Sequence, residues 1–147
     1  MTGQWFIVDN DISNASWDTI QRLARGSGVL VLAPEGRLSP RIRLFAKQRG
    51  LRIETEHSGH SRRATRVHDM RELRAALLRR TPLILLSPIH PTRTHPDSEP
   101  VPPMRAAAFA RLADRRLIAL GGMDARKFRR VERLGFQAWA GISAFRT

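Results

Sequence analysis

Residues 82–96 read PLILLSPIHPTRTHP. A run of five consecutive apolar residues, 82–86, enters a loop of Ser, Thr, Arg, His and Pro. Continuous apolar runs of this length suit a strand buried on both faces, the usual state of a parallel sheet. A strand is therefore predicted over 82–89. The polar loop at its end is where α/β barrels keep their ligand groups. Ser87, Thr92 and Thr94 offer hydroxyls and Arg93 a bidentate fork, a chemistry suited to an anion. A loop merely stiffened by prolines is the competing reading.

Working outward, the same alternation recurs. Residues 117–123 (LIALGGM) read as a strand ending in a glycine pair, and Asp124 then opens a helix predicted to run to 134. Residues 138–142 form a last strand, closing on Gly141, Ile142 and Ser143. Glycine lets a ligand approach the backbone, and a helix start favours anions. An ordinary strand-to-helix turn would look the same.

Upstream, strands are predicted over 4–8, 29–33, 51–55 and 64–68. Helices are predicted over 16–25, 40–49, 71–80 and 104–114. In the first, Ile20, Leu23 and Ala24 share a face and Ser16 is the expected cap. In the second, Ile42, Leu44, Phe45 and Ala46 point inward. In the third, Leu73, Ala76, Leu77 and Arg80 line one side. Residues 57–63 (HSGHSRR) read as a polar loop. Strands alternating with helices of about ten residues indicate successive βαβ units on a parallel sheet. Seven strands can be counted, whereas a (β/α)8 barrel needs eight and rarely fewer than about 200 residues.

The chain has 147 residues, 41% of them apolar, which fits one domain spanning 1–147. No apolar run approaches the roughly 20 residues of a membrane span. The N-terminal stretch lacks a charged segment followed by an apolar one and a small-residue cleavage site, so a cytoplasmic location is expected. There are no cysteines, which removes disulfides, thiolate metal sites and cysteine nucleophiles. The net charge is +13, and 24 of the 26 basic residues are arginine. Such charge suits an anionic partner. The arginines are scattered, no nucleic-acid-binding motif accompanies them, and tyrosine is absent. Neither a nucleic acid nor a membrane partner is expected.

The segments SPIHPTRTHP, ALGGM and WAGIS, in this order and spacing, resemble the end of the thiamine phosphate synthase/TenI superfamily. That family carries a [GS]P-x-x-PT-x-[ST]-[KH] loop, an ALGG turn and a closing GxxxIS segment. Residues 65–73 (TRVHDMREL) are similar to its S-x-H-[ST]-x-x-E motif. The resemblance covers residues 64–145 and is poor before residue 60.

The resemblance implies an abbreviated TIM-type β/α barrel, about seven βα units long, whose closure the sequence leaves open. It implies thiamine biosynthesis, with binding of a thiazole phosphate and its coupling to a pyrimidine diphosphate. Gly121 and Gly122 would form the glycine turn, and Ile142 and Ser143 would contact the phosphate. Ser87, Thr92, Arg93 and Thr94 would lie in the loop over the substrates. His95 stands where many members carry a lysine on the diphosphate. His68 stands where TenI-type tautomerases carry a proton-transfer histidine; a helix-start histidine bonded to Asp69 or to backbone is the alternative.

Synthases also carry magnesium and diphosphate ligands early in the barrel. Here the second strand runs into Ala33, Pro34, Glu35 and Gly36, and the third ends Glu54, Thr55, Glu56. No residue in this part of the chain is assigned to a metal, and Mg2+ is an expectation of the family alone. Glu54 and Glu56, two carboxylates at i, i+2 that share a strand face, are either metal ligands or surface carboxylates, and surface exposure is the commoner explanation. Arg37, Arg62 or Arg63 would have to replace the missing diphosphate contacts. Otherwise the chain is a phosphate-ligand binder without synthase chemistry. The missing fourth βα unit would leave an unpaired edge, so a homodimer is expected.

Overall fold

The computed structural model describes residues 3–9, 12–32, 38–58, 60–92 and 96–146. Seven strands form one parallel sheet: β1 (Gln4–Val8), β2 (Gly28–Val31), β3 (Arg52–Thr55), β4 (Ala64–Val67), β5 (Leu83–Leu86), β6 (Leu117–Leu120) and β7 (Ala138–Gly141). Their order is β3-β2-β1-β7-β6-β5-β4. This is the cyclic order of a β/α barrel, with the two ends of the chain paired through Gln4 and Trp139. The break falls between β3 and β4.

That break is where the sequence lacks a βα unit. Residues 57–63, predicted as a loop, instead hold a two-residue hairpin, with His57 opposite Arg62 and Ser58 opposite Ser61. The hairpin cannot span the sheet as a helix crossover does. Among the described residues no ladder joins β3 to β4. The seam is bridged by the Glu56 carbonyl, which accepts from the N–H groups of Arg63 at 2.7 Å and Ala64 at 3.3 Å.

The sheet curls enough to enclose a core. Trp5 and Ile7 of β1 pack with Leu30 of β2, Ala64 of β4, Leu83 and Leu85 of β5, Ile118 of β6, and Ala138 and Ala140 of β7. The alternating residues of the same strands face outward under the helices, as the period of two requires. Helices α3 (Met70–Leu78), α4 (Pro103–Leu112) and α5 (Ala125–Val131) cover β4–β7 through Leu73, Phe109 and Val131. Helices α1 (Asn14–Arg22) and α2 (Pro40–Arg49) cover β1 and β2 through Ile20, Phe45 and Ala46. No helix among the described residues is long and apolar enough to cross a membrane.

Local expectations fail where tertiary packing overrides them. Helix α1 is capped by Ser13, whose hydroxyl accepts from the N–H of Ser16, and it ends before Leu23; Ala24 is exposed. Ser16 lies inside the helix and is buried. On α2, Leu44 is 56% exposed rather than inward, because its face turns away from β2. Arg80 lies beyond α3 with φ of 55° and is exposed. The strand predicted over 29–33 starts at Gly28, and residue 33 is outside the described residues.

Glu54 also departs from its expected surface position. It is held at 3.3 Å by both Arg52 and Arg63, and its side chain is only 16% exposed. Arg62 pairs with Glu56 at 3.7 Å.

Candidate functional site

A cavity of about 690 Å³ opens at the C-terminal ends of the strands. Such a volume suits a small ligand. Of the residues singled out in the sequence, His68, Ser87, Thr92, Gly121, Gly122, Ile142 and Ser143 all line it. Arg93, Thr94 and His95 lie outside the described residues, as does Arg37. Arg62 and Arg63 belong to the seam, not to this cavity.

The β5 and β6 ends are tied together. The N–H of Ile89 donates to the Leu120 carbonyl at 2.9 Å, and that of His90 to the Gly121 carbonyl at 3.1 Å. The loop after β5 thus lies directly on the glycine turn. Gly121 and Gly122 have φ of 104° and 59°. A Cβ on Gly121 would sit 2.8 Å from Pro88 Cα, and one on Gly122 would sit 2.6 Å from the Pro91 carbonyl oxygen. The glycine pair is therefore required by loop packing, in addition to any approach of a ligand.

Past β7, Ile142 leads into a short helical turn, Ser143–Phe145. Phe145 stacks on Trp139 at 5.0 Å between ring centres and tilts against Phe6 at 5.5 Å. Aromatic contacts of this kind add about 0.5–1.5 kcal/mol each beyond area burial. They anchor the turn to the outer layer, which leaves Ser143 at the cavity rim.

His68 follows β4. Its Nδ1 lies 2.8 Å from the Ser87 carbonyl oxygen and 3.3 Å from Ser87 Oγ. A carbonyl only accepts, so Nδ1 carries a proton. In the neutral ring, Nε2 is then the basic nitrogen, free to take a proton from a ligand. The contact with the Ser87 carbonyl is the backbone bond of the alternative reading for His68; Asp69, the other partner that reading named, caps α3 instead, its carboxylate accepting from the Glu72 N–H at 2.8 Å. The backbone bond holds the ring in place and fixes its tautomer.

Sequence reasoning did not find Asp9, Arg66, Asp124 or Lys127 as lining residues. Lys127 had a visible signal, being one of two lysines and three residues after a helix-capping aspartate. Its backbone N–H donates to Asp124 at 2.7 Å, and its Nζ donates to the Gly122 carbonyl at 2.9 Å. Lys127 thus braces the glycine turn and brings a positive charge to it. Asp9 and Asp124 are the carboxylates lining the cavity; the first pairs with Arg66 and the second caps α5. Among the described residues no three acid or imidazole groups gather in a metal-binding cluster.

Beneath the turn, the Nε2 atom of His90 is buried without a hydrogen-bond partner. Its pKa is held below the ordinary 6.5, chiefly by burial and then by the Lys127 ammonium, with Asp124 opposing and Arg130 adding to the effect. Below pH 6.5 the unfolded chain takes up a proton that the folded chain resists. Stability conferred by the neutral ring is full above 6.5 and is lost as pH falls through the lowered value. We expect His90→Gln to flatten part of the acid loss of thermal stability between about pH 8 and pH 5. Parallel melting curves for the two proteins at all pH values would show that His90 does not contribute.

A model of the thiamine monophosphate synthase family matches residues 64–145. No curated protein matches the chain in sequence. Among solved structures, thiamine phosphate pyrophosphorylase from Bacteroides thetaiotaomicron is similar in fold, with a TM-score of 0.57 and 13% identity over 98% of this chain and 84% of that one.

Proposed function

The chain belongs to the thiamine monophosphate synthase family, and we propose that its cavity binds a thiazole phosphate, with the phosphate between Gly122 and Ser143. One observation carries this reading. All the described residues picked out by the family motifs, from four separate strand ends, line one cavity. Lys127, bonded to the carbonyl of Gly122, supplies a positive charge beside the proposed phosphate position. The Ser143 hydroxyl supplies a donor from the neighbouring strand end. Hydrogen bonds to a charged group contribute about 1.5–3 kcal/mol each.

The chemistry that suits this site is proton transfer on the bound ring. Nε2 of His68 takes a proton from a ring carbon and returns it at another position, with Nδ1 held throughout by the Ser87 carbonyl. The net result is an isomerisation that needs no other reactant. Coupling to a pyrimidine diphosphate draws less support. Glu54 and Glu56 pair with arginines at the seam, outside the cavity; of the cavity carboxylates, Asp9 lies 3.7 Å from Arg66 in a loose, half-exposed pair and Asp124 accepts from the Lys127 N–H. The described residues do not fit a magnesium diphosphate site, and the proposed reaction uses none.

A thermal-shift series tests the reading. A ligand at 100 times its Kd adds about 2.7 kcal/mol, or roughly 5–10 °C for a domain of this size. We expect thiazole phosphate to give such a shift and Ser143→Ala to weaken binding about tenfold. His68→Ala should retain binding while abolishing proton exchange on the ring. No shift with thiazole phosphate would remove the reading. A shift with the pyrimidine diphosphate and Mg2+ of equal size would replace it with synthase activity.

A further inference from the structure

Arginines are scattered along the whole chain, but residues 125–134 (ARKFRRVERL) place Arg126, Arg129, Arg130 and Arg133 at i, i+3, i+4 and i+7. This segment forms α5 and the 3-10 turn Glu132–Leu134. The spacing puts the four arginines in one stripe of the helix surface. The opposite side is spent on the core, where Val131 is buried and Phe128 and Leu134 pack against the cluster that holds Phe109. All four arginines are exposed. Arg115, after α4, continues the patch: a Cβ added to Gly135 would lie 3.9 Å from its Cγ.

The charge of this patch is uncompensated. Among the described residues none of these five guanidinium groups makes an ion pair or a hydrogen bond. At the seam, by contrast, Arg52, Arg62 and Arg63 each meet a carboxylate. Arg126 faces Arg129 and Arg130 along the helix, and Arg133 faces the same two, which are like-charge spacings that weaken a helix. A bound polyanion turns that repulsion into attraction.

The class of polyanion follows from what surrounds the stripe. It is about 10 Å long at 1.5 Å per residue, and a nucleic-acid duplex presents about six phosphates over that length. Guanidinium forks match phosphate oxygens two at a time. A helix lying on a membrane needs an apolar side to bury among lipid, and α5 has given its apolar side to the core. The large apolar side chains exposed among the described residues, Leu44, Leu78, Met104 and Leu112, lie on other helices. No aromatic side chain among the described residues is exposed, so unpaired bases find no stacking surface.

We propose that the arginine stripe of α5 is a docking surface for the sugar–phosphate backbone of a nucleic-acid duplex, bound without reading its sequence. Contacts to phosphate position a protein on a duplex and carry no sequence information. No motif in the sequence points to such a partner; the signal is the helical phase of the arginines against the buried side of α5. The surface is independent of the ligand of the cavity, which Lys127 lines and the four arginines do not.

Fluorescence anisotropy of labelled short DNA and RNA duplexes with the full chain, over about 50–200 mM salt, tests it. Replacing Arg126, Arg129, Arg130 and Arg133 together by Gln should weaken binding at least about tenfold and lower the salt slope by about 3–4, at about 0.9 per phosphate contact. The same four changed to Lys should retain most of the binding. The charge-matched control, with Arg41, Arg71, Arg74 and Arg79 changed to Gln, should stay within about threefold of wild type. Melting temperature checks the fold of the Gln variant and should not fall, since repulsion along α5 is relieved. Stripe-dependent binding of either duplex supports the proposal, and a preference names DNA or RNA as the partner. Equal losses in the stripe variant and its control would show attraction by net charge alone and overturn it. So would a wild type that binds neither duplex, or stripe-dependent binding to phosphatidylserine vesicles without stripe-dependent binding to a duplex.

Discussion

Trp5→Ala is expected to destabilise the fold by about 3–5 kcal/mol, the range for removal of a large aromatic side chain from a core. Trp5 is 2% exposed and lies in the inner core of the curled sheet. Its neighbours there include Ala64, Ala138 and Ala140, which are too small to collapse into the space it would leave. Directly across the ladder stands Gly28. A Cβ on Gly28 would fall 2.3 Å from the indole ring, so the glycine exists to admit the ring. Arg52 lies over the same ring, 5.3 Å from its centre. One large side chain thus fills the space that several medium ones would share.

A typical domain has about 5–15 kcal/mol of stability, so the variant would be near the limit of folding. Urea unfolding monitored by circular dichroism checks the prediction through the midpoint and the slope. A loss below about 1 kcal/mol would show that the interior is not packed around Trp5. The pairing with Gly28 gives an independent test. Gly28→Ala should be strongly destabilising with Trp5 present and nearly neutral in the background of Trp5→Leu, a coupling expected only of residues in contact.

The second large effect is expected at the glycine turn. Gly122→Ala should cost about 2–5 kcal/mol and weaken phosphate-ligand binding. The αL conformation, at φ of 59°, costs an L residue roughly 1–2 kcal/mol. The added methyl would also lie 2.6 Å from the Pro91 carbonyl oxygen and 3.1 Å from His90 Cβ. Relief requires the loop after β5 to lift, and overpacking of this kind costs about 1–3 kcal/mol. Lifting it breaks the bond from His90 to the Gly121 carbonyl and shifts the cavity wall.

Gly141 supplies the control. It lines the same cavity, yet a Cβ there meets nothing closer than 3.5 Å. Gly141→Ala should therefore stay within about 1 kcal/mol of wild type in chemical denaturation. Equal tolerance of the two substitutions would show that the loop does not rest on Gly122 as described.

The sequence by itself determined the local elements and their order. Apolar runs such as Leu83–Leu86 and Leu117–Leu120 mark strands buried on both faces, and all seven predicted strands form. The helix predicted over 40–49 forms with those bounds, capped in the structure by Ser39 and Gly50, and Asp124 starts α5 as predicted. The polar strand ends at 87–92, 121–122 and 142–143 were legible for the same reason. Such residues have no place inside a parallel sheet and must lie at its mouth. Seven residues picked out by the family motifs line one cavity, although they are up to 75 positions apart, from His68 to Ser143.

Only the tertiary structure decided matters that depend on what lies opposite. Ser13 rather than Ser16 caps α1, because the choice rests on where the chain leaves the sheet. Glu54 turns inward, because Arg52 and Arg63 meet it there. Arg63 and Arg66 look alike in a basic segment, but one is held at the seam and the other opens into the cavity. The two glycines of the turn read as ligand-facing, while their strictest requirement comes from Pro88 and Pro91 packing on them. The missing βα unit was visible as a shortage of residues. That the sheet would absorb it as a seam between β3 and β4, bridged at Glu56, follows from strand pairings between distant parts of the chain. Local propensity cannot encode such pairings, since each depends on a partner that the sequence around it does not specify.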